Sequence, residues 1–310
     1  MAVLTAGIRY VDLHYRGVAG VIATGVIDTP DGPALVDPGP AICLPELEAQ
    51  LASLGTSLRD VCALLLTHIH LDHAGASGVI ARDNPRVRVY VHERGAPHLV
   101  DPSKLLASAT RLYGPRMDEI WGPFLPVPRE RVSALAGRRE RIDLKQRTIE
   151  VLYTPGHAYH HVSYLDVDSR VAFVGDVGGV HMPGHPYVLP PTPPPDIDLD
   201  AWRTSIAQLT AWAPSALLLA HFGPNDDTPA VHLQKLLERL ESFAARVKRL
   251  LDEPGSEDEK VTAFIAGVHE ELARDMGTTD PKRFAVAVPP DQCWQGLARY
   301  WRKKTEAAHS

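Results

Sequence analysis

Apolar positions change their period repeatedly along this chain of 310 residues. From residue 8 to 37, short β-branched or alternating stretches, "IRYVDLHY", "GVIATGVIDT" and "PALVDPG", are divided by glycine and by the turn "TPDGP", and they predict hairpin strands. "CLPELEAQLASLG" then sets Leu44, Leu47, Leu51 and Leu54 at helical spacing and stops at Gly55. The run "VCALLLTH" has no polar alternation, which predicts a strand buried on both faces. A short helix over 74–82 and a strand at "VRVYVHE" continue the strand–helix–strand pattern. Residues 95–140 are punctuated by Pro and Gly, with weaker helical periodicity, and predict a lid-like insertion over one face.

Farther on, "TIEVLYTPGH", "HVSYLDVDSRVAFVGD" and "SALLLAHFGP" are apolar runs that end in a polar tip, the last one following a proline-rich link at 186–195 and a helix at 199–212. From 229 the period becomes helical and stays so. Leu233, Leu236, Leu237, Leu240, Phe243, Ala244, Val247, Leu250 and Leu251 form one stripe over 229–252, and 257–276 and 291–304 also read as helices. The expected organisation is a catalytic unit at 1–228 and a helical subdomain at 229–310. Each large apolar side chain gains about 1.5–3 kcal/mol on burial, so the stripe must be covered. Docking near the edge that carries the polar tips is expected, with a homodimer contact as a second means of cover.

Composition narrows the setting. With 45% hydrophobic and 23% charged residues the chain has the profile of a soluble globular protein, and a formal net charge of -6 supplies no broad cationic field for nucleic acid or anionic membrane. A small-molecule substrate is the expected partner. Cys43, Cys62 and Cys293 are far apart and in no CxxC spacing, which predicts neither a disulfide framework nor a thiolate zinc site. The start "MAVLTAGIRYVDLHYRG" has no basic, then apolar, leader pattern, and no apolar run is long enough to span a bilayer, so a cytoplasmic protein is expected.

Chemistry concentrates in "LLLTHIHLDHAG". His68, His70, Asp72 and His73 stand at H-x-H-x-D-H spacing on the turn after a buried strand, which predicts two adjacent metal sites fed by one loop. At one histidine in about twenty residues, four such positions match by chance roughly once in 10⁵ starting points. His157, Asp176 and His221 each end an apolar run and are candidate further ligands.

With these motifs in hand, the chain resembles the metallo-β-lactamase fold superfamily and, within it, the glyoxalase II-like hydrolases. "LVDPG", "THIHLDHAG", "TPGH", "FVGD" and "LLAHFGP" occur in the family's order across residues 8 to about 225. The resemblance implies an α/β fold, a four-layer αβ/βα sandwich with the site at its edge. It implies that His68, His70 and His157 bind a first metal, that Asp72, His73 and His221 bind a second, and that Asp176 bridges them, with Asp37 propping the metal loop. Two divalent ions, Zn before Fe or Mn, would lower the pKa of a shared water so that it attacks an ester, thioester, lactone or phosphodiester, with Asp72 and Asp176 orienting it or carrying its proton.

Departures from the family bear on the substrate. An acid at 176 disfavours a true β-lactamase, and "GDVGGVHMPGH" lacks the tyrosine or basic residue that lactonases and glyoxalase II enzymes place soon after that acid. Tyr159, His160, His181 and Tyr187 are the candidate substrate contacts, whereas His161 and His185 are expected to be structural or loop residues. A single-iron oxygenase like the persulfide dioxygenases and an endoribonuclease of the same superfamily are the competing readings. The retained Asp72, His73 and His221 disfavour the first, and the acidic composition disfavours the second.

Overall fold

Alternation along the strands builds a layered molecule from two sheets. The structure, a computed structural model, describes residues 2–182, 184–276 and 282–309. The first sheet runs in chain order through β1 (Ala2–Thr5), β2 (Ile8–Asp12), β3 (Ala23–Ile27), β4 (Ala34–Val36), β5 (Ala63–Leu65), β6 (Arg88–His92) and β7 (Val132–Leu135). Its pairing is antiparallel as far as β4 and parallel from β4 to β7. The second sheet contains β8 (Arg138–Asp143), β9 (Thr148–Tyr153), β10 (Val162–Asp166) and β11 (Val171–Phe173), then, beyond a small hairpin of β12 (Val180–His181) and β13 (Val188–Leu189), β14 (Ala216–Leu219) and β15 (Gly223–Pro224). Its order is β15-β14-β11-β10-β9-β8, with β11 and β14 parallel.

Odd and even positions of these strands enter different cores, as a period of two requires. In the first sheet Ala34, Val36, Ala63 and Leu65 face the second sheet, while Leu35 and Leu64 face outward. In the second sheet Ile149, Val151, Tyr164 and Phe173 meet them, while Leu152, Leu165 and Ala172 turn to the opposite side. Every one of these residues is buried. "VCALLLTH" is therefore apolar without alternation because both faces of its strand are covered.

Helices cover both outer faces. Over the first sheet lie α1 (Leu44–Ser53), α2 (Leu71–Ala74), α3 (Ser77–Asp83), α4 (Ala96–Val100), α5 (Ser103–Tyr113) and α6 (Met117–Trp121). Over the second lie α7 (Leu199–Trp212), α8 (Pro229–Asp252), α9 (Glu257–Met276), α10 (Lys282–Ala287) and α11 (Pro290–His309). The result is the expected four-layer sandwich with helices at its C-terminal end.

Two details differ from the sequence expectations. The helix expected over 74–82 is two pieces, 71–74 and 77–83, because the Ala76 N–H donates to the Gly39 carbonyl at 2.8 Å instead of back along the helix. The stretch 95–140 is not wholly a lid, since 132–135 is the edge strand β7. The helical region from 229 is set apart in the sequence only by its period, and its stripe docks on the sandwich, as its need for cover requires. Leu233, Leu240 and Phe243 of α8 share one apolar cluster with Leu165 and Leu217 of the second sheet. Residues 277–281 and 310 of that region lie outside the described residues.

One buried histidine in this layer gives a measurable pH dependence. His232 on α8 donates from Nε2 to the Gly178 carbonyl at 2.8 Å, and burial pushes its pKa down to about 4. Its folded value lies below the unfolded one, so the stability it contributes is fully present above pH 6.5 and is lost as pH falls from there to about 4. The shift corresponds to about 3 kcal/mol. Urea unfolding across pH 7 to 4 should therefore show a steeper loss of stability in the wild type than in His232→Gln, whose amide can keep the hydrogen bond without titrating. Parallel losses in the two proteins would mean that the ring protonates freely in the folded state.

Candidate metal centre

Five strands end at one edge of the sandwich, and the residues just beyond them converge. Asp37 follows β4, His68 to His73 follow β5, His157 follows β9, Asp176 follows β11 and His221 follows β14. Their side-chain donors fall into three overlapping groups able to hold a cation: His68, His70 and His157; His68, His73 and Asp176; and Asp72, His73 and His221. In the first, His70 Nδ1 lies 3.0 Å from His68 Nε2 and 2.9 Å from His157 Nε2. In the last, Asp72 Oδ2 lies 3.3 Å from His221 Nε2 and 3.7 Å from His73 Nε2. Asp176 stands between them, with Oδ2 3.3 Å from His157 Nε2 and Oδ1 3.0 Å from His73 Nε2 and 3.6 Å from His221 Nε2.

The rings are aimed by what holds their other nitrogen. His221 Nδ1 donates to the Val21 carbonyl at 2.7 Å and His157 Nδ1 to the Pro191 carbonyl at 2.9 Å. A carbonyl only accepts, so Nδ1 carries a proton in both rings and Nε2 is the nitrogen turned to the centre. His73 Nδ1 is held by Asp37 Oδ2 at 2.9 Å. The same carboxylate accepts from the Thr67 backbone N–H at 2.8 Å and from its hydroxyl at 2.6 Å, which leaves that hydroxyl to accept from His68 Nδ1 at 3.1 Å. Asp37 does this from a left-handed backbone conformation, φ 51°. Such strain persists only where the surroundings over-determine it. Gly175, φ +47°, is required beside Asp176, because a Cβ there would lie 2.5 Å from the Thr67 hydroxyl and 2.7 Å from His161 Nε2.

Electrostatics within the cluster divide along the same lines. Burial pushes His68 and His157 below the ordinary histidine value, and burial together with His157 brings His70 to about 3. Burial also opposes charge on His73 and His221, yet Asp176 and Asp72 outweigh it and hold both above the ordinary value. Despite burial, His73 and His221 hold Asp72 at about 2, and His73, His157 and His221 hold Asp176 well below the usual carboxylate range. The carboxylates thus stay ionised beside imidazoles whose inner nitrogens are unprotonated or held by the acids. His73 Nε2 and Asp176 Oδ1 are buried without a hydrogen-bond partner although they face one another. Borderline nitrogen and oxygen donors with such unmet atoms fit divalent cations.

The candidate ligands and Asp37 thus come together, but the four candidate substrate contacts do not join them. A cavity of about 800 Å³ opens on His70, Asp72, His157 and Asp176, and none of Tyr159, His160, His181 or Tyr187 lines it. Tyr159 is 39% exposed elsewhere on the surface. His160 lies behind the ligands, its ring centroid 5.5 Å from that of His70 and 6.1 Å from that of His68. His181 is buried against Asp226 at 3.2 Å, and Tyr187 sits in the core with the Arg239 guanidinium 4.2 Å from its ring centroid. His161 is structural, within 2.9 Å of the Thr154 hydroxyl, and His185 does not reach the cavity. The walls come instead from α5, α6 and the segment 285–299. These walls lie in the two regions the sequence sets over the site, the lid at 95–140 and the helices docked near the edge, although the sequence pattern singles out none of the lining residues individually. The only local signal was the arginine spacing in "TRLYGPR".

The family model for the metallo-beta-lactamase superfamily matches residues 17–221. A metallo-beta-lactamase fold-containing protein of Sulfurisphaera tokodaii is 30% identical over 182 residues, 57% of this chain and 67% of that protein. A hydroxyacylglutathione hydrolase of Synechococcus is 31% identical over 143 residues, 46% of this chain and 42% of that protein, so the chain spans less than half of that relative's length. Among solved structures, a metallo-beta-lactamase family protein from Thermus thermophilus superposes with a TM-score of 0.70 at 22% identity, covering 98% of this chain and 95% of that one. The likeness thus extends in three dimensions over the C-terminal helices as well. Ligand-bearing strand ends at one sandwich edge, together with a family match across all of them, establish that this chain belongs to the metallo-beta-lactamase superfamily.

Proposed function

We propose that the protein is a binuclear metal-dependent hydrolase of ester-like or thioester-like substrates, with zinc as the preferred metal. The observation that carries this reading is the position of Asp176. Its two oxygens face different donor groups, one toward His157 and one toward His73 and His221. A single-cation site does not need a carboxylate shared in this way. His68, His70 and His157 would hold one ion, Asp72, His73 and His221 the other, with Asp176 between. Relatives named as a hydroxyacylglutathione hydrolase and as a probable metallo-hydrolase of Bacillus subtilis support hydrolytic chemistry.

Bound cations supply Lewis acidity and make a water acidic enough to attack at neutral pH. The chain's own groups do the rest. Asp72 lines the cavity and keeps a side chain 19% exposed, so its carboxylate can accept a proton and pass it to a departing group. Asp176, at 6%, is shielded and serves as an orienting acceptor. The imidazoles of His68, His73, His157 and His221, tethered at their far nitrogens, need little rearrangement when cations bind.

Two outcomes test the reading. Protein purified without chelator should give close to two metals per chain by elemental analysis, and Asp176→Ala should lower hydrolysis of any accepted substrate by several orders of magnitude while the far-ultraviolet circular dichroism is kept. Reproducible binding of one iron, with oxygen consumed on a persulfide, would overturn it. Asp37→Ala leaves every direct ligand in place but frees His73 Nδ1 and the Thr67 amide. Metal affinity, read by chelator competition, should fall by about 10–100-fold. An unchanged affinity would mean that the Asp37 tether does not orient His73.

A further inference from the structure

We propose that the pocket is built for an anionic amphiphile: an ester or thioester with a bulky apolar acyl or aryl group, carrying a phosphate or carboxylate at its far end. The proposal rests on the hydrolase reading for its reaction and on the walls of the pocket for its substrate class. A volume of about 800 Å³ suits a ligand of substantial size rather than a two-carbon acyl group.

The walls are of two kinds. One is apolar, with Leu105 and Leu112 from α5, Trp121 from α6 and Val286 and Val288 from the C-terminal region. Trp121 and Val288 are 8% and 5% exposed. Trp121 is also held rigidly, stacked on Tyr15 at 5.7 Å and edge-on to Tyr113 at 5.1 Å. A short polar acyl group would leave this surface wet, whereas a large apolar one covers it.

Charge in the pocket runs against the charge of the chain. The sequence has 38 acidic and 32 basic residues, yet apart from Asp72 and Asp176 the charged side chains lining the cavity are Arg16, Arg111, Arg116 and Arg299. All four are exposed, which places them toward the mouth. Arg16 and Arg116 share a single acid, Glu119, at 3.8 and 3.0 Å. Arg111 forms no ion pair among the described residues, and Arg299 acts on Asp196 only through space. Guanidinium forks with spare donors suit phosphate or carboxylate oxygens. In the reaction, water adds its oxygen to the acyl carbon, the carbon–oxygen or carbon–sulfur bond breaks, and the leaving group takes up the proton. No oxidant or reductant is needed.

The test uses the full, metal-loaded chain and thioesters that share an acyl group. Octanoyl and acetyl esters of N-acetylcysteamine, glutathione and coenzyme A vary apolar length and anion separately. Octanoyl should exceed acetyl on each thiol, and the better of the two anionic octanoyl thioesters should exceed the neutral one at least tenfold in kcat/KM. Which of them leads distinguishes phosphate from carboxylate. The charge preference should shrink as salt is added and should drop about tenfold in Arg111→Glu/Arg299→Glu, but not in Arg82→Gln, which lies outside the pocket. Hydrolysis without preference for length or charge would overturn this inference and leave the hydrolase reading standing. If no thioester is hydrolysed, the thioester part of the hydrolase reading fails. Calorimetry with the thioethers S-octyl-coenzyme A and S-octylglutathione then decides the pocket alone: binding of either weakened by charge reversal supports it, and no binding of either overturns it.

Discussion

Five imidazoles and two carboxylates, most of them buried, within contact of one another cannot rely on solvent to balance or aim them, so the protein must do both. It does so by tethering. The far nitrogens of His73, His157 and His221 are held by Asp37, Pro191 and Val21, and His68 is held through Thr67. Each tether comes from a different part of the chain, so the centre can form only when both sheets and the proline segment are in place. Local geometry here is a consequence of the global fold.

The sandwich supplies those tethers because its strand ends share one edge. β4 and β5 are parallel, as are β11 and β14, and side chains following their C-terminal ends therefore emerge together. The core between the sheets fixes the distance across the site, with Tyr164 of the second sheet donating to the Leu66 carbonyl at 2.8 Å, two residues before His68. A change of strand register by one residue would exchange Leu64 for Leu65 at the sheet interface and rotate the histidine turn away from its partners. The apolar run before the motif is thus as necessary to the chemistry as the histidines are.

Much of this was legible in the sequence because it is local. H-x-H-x-D-H is contiguous, and His157, Asp176 and His221 each interrupt an apolar run that can only be a buried strand. The period of 3.6 located α7, α8 and α9 at their observed bounds because the apolar face each pattern marks is the face the tertiary structure buries. For the pocket walls the regions were legible, 95–140 and the C-terminal helices, but the individual lining residues were not, since they come from elements far apart in sequence. Tyr187 and His181 illustrate the reason. They follow Asp176 closely, but the β12–β13 hairpin carries the chain back into the core, under Arg239 and against Asp226, and nothing in residues 177–190 announces that reversal.

The C-terminal helices show how far such nonlocal dependence extends. Residues 229 onward read as an appendage because their period differs from what precedes them, yet α11 touches the metal centre at one remove. Gly296 passes so close to the proline segment that a Cβ would lie 2.1 Å from the Thr192 carbonyl oxygen, and the Thr192 hydroxyl donates to the Cys293 carbonyl at 3.3 Å. The next carbonyl back along the segment, that of Pro191, holds His157. The helix that supplies Gln292, Gln295 and Arg299 to the cavity wall therefore also positions the carbonyl that aims one imidazole. Pocket shape and ligand geometry share a support, so a displacement of α11 acts on both, and variation in this region cannot tune the substrate wall without also being felt at His157.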